Sequence, residues 1–211
     1  MKLFHYHYWT DKVKEMEHFY QQLGFETVLR VGRLDGEMQT FNPPLTWDDF
    51  KGKEIAFRII EMVKGQTNMT FGQGKRDRFD HIGVMVNEEE YSGIIDRAAE
   101  LDWTVNEGER RTFISTPWKF RIELQRRSDV VAEEQHTVIR QMKMDVPFNE
   151  HPGLLARLLD LDVLQEDESF VKVGNDEWSI VFNKEMDVRL NAVHFTGDGM
   201  NEVDPVGVRL N

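Results

Sequence analysis

The strongest constraint on the fold lies between residues 77 and 127, where two strands alternate between apolar and functional side chains. In Phe79-Asp80-His81-Ile82-Gly83-Val84-Met85-Val86, the apolar Ile82, Val84 and Val86 alternate with His81, Gly83 and Met85. In Trp118-Lys119-Phe120-Arg121-Ile122-Glu123-Leu124-Gln125, Phe120, Ile122 and Leu124 alternate with Arg121, Glu123 and Gln125. Successive strand side chains point to opposite faces. Each strand therefore packs one face on a helix and turns a histidine or a carboxylate the other way, which describes a cup rather than a sandwich layer. Between the strands, Asn87 and Glu90 form a capping box for a helix striped by Tyr91, Ile94, Ile95, Ala98 and Leu101.

The same order occurs at the N-terminus. Phe4 to Trp9 alternates, with His5, His7 and Trp9 on one face, and Asp11 is placed to cap a helix carrying Val13, Met16, Tyr20 and Leu23 that ends at Gly24. Strands follow over residues 25–31, 37–41 and 54–63. Leu23-Gly24-Phe25 aligns with Leu101-Asp102-Trp103, and Phe57-Arg58-Ile59-Ile60 with Phe120-Arg121-Ile122-Glu123. The first copy is the longer, and its excess around Pro43-Pro44-Trp47 is a candidate lid. Residues 64–76, with Gly65, Gly72 and Gly74, read as a linker; Gly72-Gln73-Gly74-Lys75 lacks phosphate-loop spacing.

A fainter third copy follows Ser128 to Gln135. It has a strand over 139–146, a helix capped by Asn149 with Pro152 in its first turn, and strands over 169–173 and 178–182. Residues 190–195 and 207–210 add a fourth copy without its helix. The expected class is α+β: repeated βαβββ modules in curved mixed sheets, with paired modules at 1–64 and 77–127 and a degenerate second half at 136–211.

Composition narrows the function. With no cysteine, disulfides and thiolate chemistry are excluded, and any metal must sit on nitrogen and oxygen. A formal charge of -12 without a basic block disfavours nucleic acid and anionic lipid. No apolar run marks a membrane span or signal core, so a cytoplasmic protein is expected.

His5 with Phe19-Tyr20-Gln21-Gln22-Leu23-Gly24-Phe25, then Asp80-His81-Ile82-Gly83-Val84, then Arg121-Ile122-Glu123-Leu124, together resemble the vicinal oxygen chelate superfamily. That group includes glyoxalase I, bleomycin-resistance proteins, fosfomycin-resistance transferases and extradiol dioxygenases. The resemblance implies His5, His81 and Glu123 as ligands of one divalent metal ion, Fe, Mn, Zn or Ni, which suits two imidazoles and a carboxylate. Some relatives place a fourth ligand where the repeat alignment puts Ile60. Alternation turns the neighbouring Glu61 toward the helices unless a bulge rotates it inward.

Parity sets Arg58 and Arg121 on the cup face, where guanidinium groups favour an anionic substrate. Trp9, Trp47 and Trp118 are candidate aromatic walls, and His7 is the candidate general base. The implied function is a metal-dependent enzyme, dioxygenase-like or glyoxalase- or lyase-like, acting on a small oxygen-chelating molecule. The alternative is a metal-free cup that sequesters a small molecule, as bleomycin-resistance proteins do. From the residues alone, His5 and His81 also fit half-buried strand histidines, Arg58 and Arg121 fit partners of carboxylates, and Trp47 with Phe50 fits a satellite core. A homodimer with modules swapped through the glycine-rich linker is a further possibility.

Overall fold

The structure, a computed structural model, describes residues 1–197 and 199–211. Its first sheet begins with β1 (Lys2–Thr10), followed by α1 (Val13–Gln22), β2 (Glu26–Leu34), β3 (Glu37–Thr40), β4 (Ala56–Lys64) and β5 (Thr67–Gln73). The second copy supplies β6 (Arg78–Met85), α2 (Glu88–Glu100), β7 (Val105–Glu107), β8 (Thr112–Ser115) and β9 (Arg121–Gln125). These nine strands form one sheet in the order β3-β2-β4-β5-β1-β6-β9-β8-β7. Each module's first strand pairs in parallel with its own last, β1 with β5 and β6 with β9, and the two first strands meet antiparallel at the centre. The two modules thus pair within one chain.

The second half repeats this plan with β10 (Val138–Val146), α3 (Gly153–Leu159), β11 (Asp162–Glu166), β12 (Phe170–Gly174) and β13 (Ser179–Lys184). It finishes with β14 (Arg189–Thr196), β15 (Glu202–Val203) and β16 (Arg209–Leu210). Its sheet order is β11-β12-β13-β10-β14-β16-β15. β10 lies parallel to β13 and antiparallel to β14, with its register shifts at positions matching those of β1. No helix among the described residues is long and apolar enough to cross a membrane.

Three expectations are corrected. Residues 67–73 are a strand, not a linker: Met69 and Phe71 are fully buried on the helix side, while Asn68 and Thr70 face the cup. The strand escaped notice because only two of its residues are apolar. Gly72 is there for close packing, since a Cβ would lie 2.6 Å from the Trp9 ring and 2.4 Å from the Arg58 carbonyl. Second, the insertion is no lid. Trp47 packs on Phe50 and Phe57, and its Nε1 donates to Glu17 Oε2 on α1. The same segment gives Arg30, ion-paired with the buried Glu17, the Phe41 and Leu45 carbonyls as acceptors. It closes a satellite core on the helix side, where a buried guanidinium requires every acceptor it can find. Third, Asp11 does not cap α1; Lys12 takes the N-cap position without a side-chain cap. The Asn87 and Glu90 capping box of α2 forms as read.

The halves share a core. Trp118, expected as a pocket wall, is fully buried between Phe120 and Phe182, with Nε1 donating to the Glu150 carbonyl. Polar contacts also cross. Tyr8 donates to the Leu190 carbonyl at 3.2 Å, and Tyr20 donates to Asp204 Oδ2 at 2.9 Å while its oxygen lies 3.1 Å from Tyr6. Burial pushes the Asp204 carboxyl up to about 6 against hydrogen bonds from the Val208 N–H, Tyr20 and the Val206 N–H. An unfolded aspartate ionises near 4. As pH rises from about 4 to 6, the unfolded chain releases this proton while the folded chain keeps it, so this group's contribution to stability falls and is then constant. Asn at position 204 titrates in neither state. Relative to Asp204→Asn, the parent should therefore lose about 2 kcal/mol of stability between pH 4 and 7, at about 1.4 kcal/mol for each pH unit between the two pKa values that lies within this range. Urea unfolding of both proteins across that range checks this, and a pH-independent difference would contradict it.

Candidate metal centre

The central strands set the site. His7 stands opposite His81 and His5 opposite Gly83 across β1 and β6. Gly83 in turn stands opposite Glu123 across β6 and β9. His5, Gly83 and Glu123 thus share one row, and glycine allows the row to close, because a Cβ at residue 83 would lie 2.7 Å from His5 Cβ. His5, His81 and Glu123, none more than 4% exposed, each bring a ligand atom within 4.8 Å of the others. The two Nε2 atoms are 3.1 Å apart, and His81 Nε2 lies 3.4 Å from Glu123 Oε2.

Hydrogen bonds behind the rings fix what the front presents. His5 Nδ1 meets the Asn68 carbonyl at 3.1 Å and Asn68 Oδ1 at 2.9 Å. Asn68 Nδ2 donates to Glu61 Oε1 and to the Val130 carbonyl, so Oδ1 only accepts and His5 Nδ1 carries the proton. His81 Nδ1 donates to Asp80 Oδ2 at 2.8 Å. Asp80 is held well below the usual carboxylate range: burial opposes this, but His81 and Arg121 outweigh it. Burial lowers His5 to about 4 against the pull of Glu123, leaving that ring neutral at pH 7. Burial raises the Glu123 carboxyl, yet contact with His81 and the nearby charges, Arg111 included, bring it down to about 2.

With Nδ1 of each ring engaged from behind, His5 Nε2, His81 Nε2 and the Glu123 carboxylate converge on one point. Two imidazole nitrogens and a carboxylate facing one another are a donor set that suits a cation. Bonds of about 2.0–2.2 Å to nitrogen and oxygen set neighbouring ligand atoms about 3.0–3.5 Å apart. The donor set and its spacing fit a divalent ion.

Solved structures with this arrangement of strands include a homoprotocatechuate 2,3-dioxygenase from Arthrobacter globiformis, 10% identical, with a TM-score of 0.65 over 100% of this chain and 80% of that one. A 2,2',3-trihydroxybiphenyl 1,2-dioxygenase from Sphingomonas wittichii is 11% identical, with a TM-score of 0.62 over 99% and 89% of the two chains. A Mn(II)-bound glyoxalase from Novosphingobium aromaticivorans is 12% identical, with a TM-score of 0.61 over 92% and 64%. The chain has the vicinal oxygen chelate fold. No family model matches it, and no curated protein does. Identities this low speak for the fold alone, so roles must be argued from the residues.

Within the vicinal oxygen chelate fold, β5 rather than β4 is the last strand of the first module, and this moves the fourth-ligand position. Glu123 lies two residues beyond Arg121, the partner of His81, and Thr70 lies two beyond Asn68, the partner of His5. Thr70 therefore occupies that position, and Ile60 is fully buried on the helix side. A register shift at residues 57–59 turns Ile59 and Glu61 toward the cup, which reverses the parity expected for β4.

His7 is buried, stacked on His81 with ring centroids 4.8 Å apart, and its Nδ1 lies 2.6 Å from Thr70 Oγ1. Its Nε2 is buried without a partner among the described residues. Burial, with His81 and His5 adding to it, holds His7 well below its ordinary pKa. Trp9 sets its ring edge-on to His7, and Arg58 lies exposed over Trp9. Arg121 pairs with Asp80 and covers the Phe113 ring at 4.4 Å, so it buttresses the His81 partner instead of projecting over the centre. Trp47 lies away from the cup.

Sequence reasoning missed Asn68, Thr70, Asp80 and Arg111. The last, on the turn between β7 and β8, donates from Nη1 to Glu123 Oε2 at 3.2 Å. Only Asp80 left a trace, as the residue preceding His81. Asp80→Ala should release the His81 tautomer. Ring ¹⁵N shifts of metal-free protein should place the lone pair on Nε2 in the parent and show a mixture of tautomers in the variant; identical shifts would mean that Asp80 does not orient the ring.

Proposed function

We propose that His5, His81 and Glu123 hold one divalent metal ion and that the cup is the active site of an enzyme acting on a small anionic molecule with two adjacent oxygens. The observation that supports this most is the convergence of His5 Nε2, His81 Nε2 and the Glu123 carboxylate, with both rings held from behind. When bound, the metal supplies a Lewis acid with positions open to substrate oxygens. Asn68 and Asp80 keep the two rings in the ligating tautomer. Arg111 sits beside Glu123 at the cup wall, with Arg110 and Arg127 also lining a cavity of about 100 Å³. Among these three, Arg111 is best placed to pair with a substrate carboxylate, a role first expected of Arg58 and Arg121. Trp9 supplies an aromatic wall.

His7 is the side chain we assign to proton transfer: it stacks on His81, its Nδ1 lies 2.6 Å from Thr70 Oγ1, and its Nε2 is buried without a partner among the described residues. Ring-opening dioxygenation and lyase or isomerase chemistry both use such a site, and the two dioxygenases and the glyoxalase sharing the fold are consistent with either. The chemistry and small volume of the cup suit a small-molecule substrate.

Elemental analysis after dialysis against Fe(II), Mn(II), Zn(II) and Ni(II) tests the metal assignment. About one ion per chain should be retained by the parent and lost from His81→Ala, Glu123→Ala. No metal in either protein would overturn the assignment and leave a metal-free binding cup.

The anion assignment is tested separately on metal-loaded protein. Lactate binding should weaken about tenfold in Arg111→Ala, the loss of one charge-assisted hydrogen bond of about 1.5 kcal/mol, with metal content unchanged. Equal affinity would remove Arg111 from substrate binding.

A further inference from the structure

The second sheet repeats the central pairing of the first, so its concave face can be compared position by position. Gln141 stands opposite His194 as His5 stands opposite Gly83, and Lys143 opposite Ala192 as His7 opposite His81. Ala192 is next opposed by Arg209, as His81 is by Arg121. Gln141 and Ala192 replace the two histidine ligands, and Asn211 follows Leu210 where Glu123 follows Ile122. Nothing resembling the first centre survives. In its place is a row of Lys143, Ala192 and Arg209 across β10, β14 and β16.

That row is arranged unlike an ordinary solvated face. Strands about 4.8 Å apart put the two cationic residues about 10 Å apart at the backbone, within joint reach of a small group above the Ala192 methyl. Neither Lys143 nor Arg209 has an ion-pair partner among the described residues, whereas Arg111 and Arg121 in the first sheet are tied to Glu123 and Asp80. His194 lines the same cavity, and its Nε2 is buried and without a partner among the described residues. The cavity, about 480 Å³, has no aspartate or glutamate in its lining, although the chain carries a net charge of -12. Room, two cations without ion-pair partners and a small residue between them are what a compact oxyanion requires.

We infer that the concave face of the second sheet binds a small oxyanion, a carboxylate or a phosphate, seated over Ala192 between Lys143 and Arg209 with His194 beside it. The site is independent of the metal centre and does not depend on the function proposed for it. Lys143 and Arg209 are both exposed, so substituting them leaves the core intact.

Titration of the ¹⁵N-labelled full chain with inorganic phosphate and, separately, with acetate at constant ionic strength tests the inference. Saturable amide shifts at Ala192, His194 and Arg209 are expected with at least one of them. Saturation by phosphate alone assigns a phosphate-bearing ligand, and by acetate alone a carboxylate. Lys143→Ala, Arg209→Ala should weaken that binding at least tenfold, whereas His81→Ala, Glu123→Ala should leave it unchanged. Shifts that never saturate with either anion, or that persist in the Lys143 and Arg209 variant, would overturn the inference. So would shifts lost in the His81 and Glu123 variant, which would place the anion in the first cup.

Discussion

The antiparallel pairing of β1 with β6 is the contact on which the rest depends. It brings two strands from different modules into one sheet and sets His7 opposite His81 and His5 opposite Gly83. Because side chains alternate, a one-residue slip would turn His5 and His81 into the helix layer and put Tyr6 and Ile82 in the cup. The apolar faces guard against that. Leu3, Tyr6, Ile82 and Val84 are fully buried on the helix side, so a slip would expose them while burying imidazoles. Hydrophobic burial, acting on residues that touch no substrate, thereby holds the geometry of a polar site.

The same pairing at β10 and β14 shows what the fold imposes and what it leaves free. Strand order, parallel closure and matching register shifts recur in both sheets. Side chains on the inner face do not. The first sheet carries two histidines and a carboxylate with ordered partners behind them, and the second carries amides, cations and an alanine. One backbone plan therefore supports two unlike chemistries, with the core between them sealed by Trp118, Phe120 and Phe182.

Much of this was legible in the sequence, for a physical reason. His5, His81 and Glu123 sit on strands whose other face is strongly apolar, so period-two alternation exposed both the strand and its functional side. β5 failed that test because it is a central strand with a polar inner face and glycine at its end, a pattern shared with loops. Missing β5 has a chain of effects: alternation then makes β4 the closing strand, inverts the parity of Ile60 and Glu61, and puts Ile60 in the position of Thr70. Trp47 was misplaced for a different reason. Its destination was set by the buried Glu17 and Arg30 pair, and a long-range demand for acceptors leaves no local pattern. Arg111 lies on a turn where no periodicity applies.

Residues 128–136, a plain connection between the two halves, run back along the edge of the cup and are pinned there. Gln66 donates through Nε2 to the Ala132 and Glu134 carbonyls, and Asn68 donates to the Val130 carbonyl. Asn68 is also the side chain that fixes the His5 ring. One amide thus answers to two masters: its nitrogen reads the position of the connecting segment, and its oxygen sets which ring nitrogen of His5 faces the cup. Lifting that segment strips that amide of an acceptor within one side chain of the centre, so the seam between the halves and the first histidine are mechanically one joint.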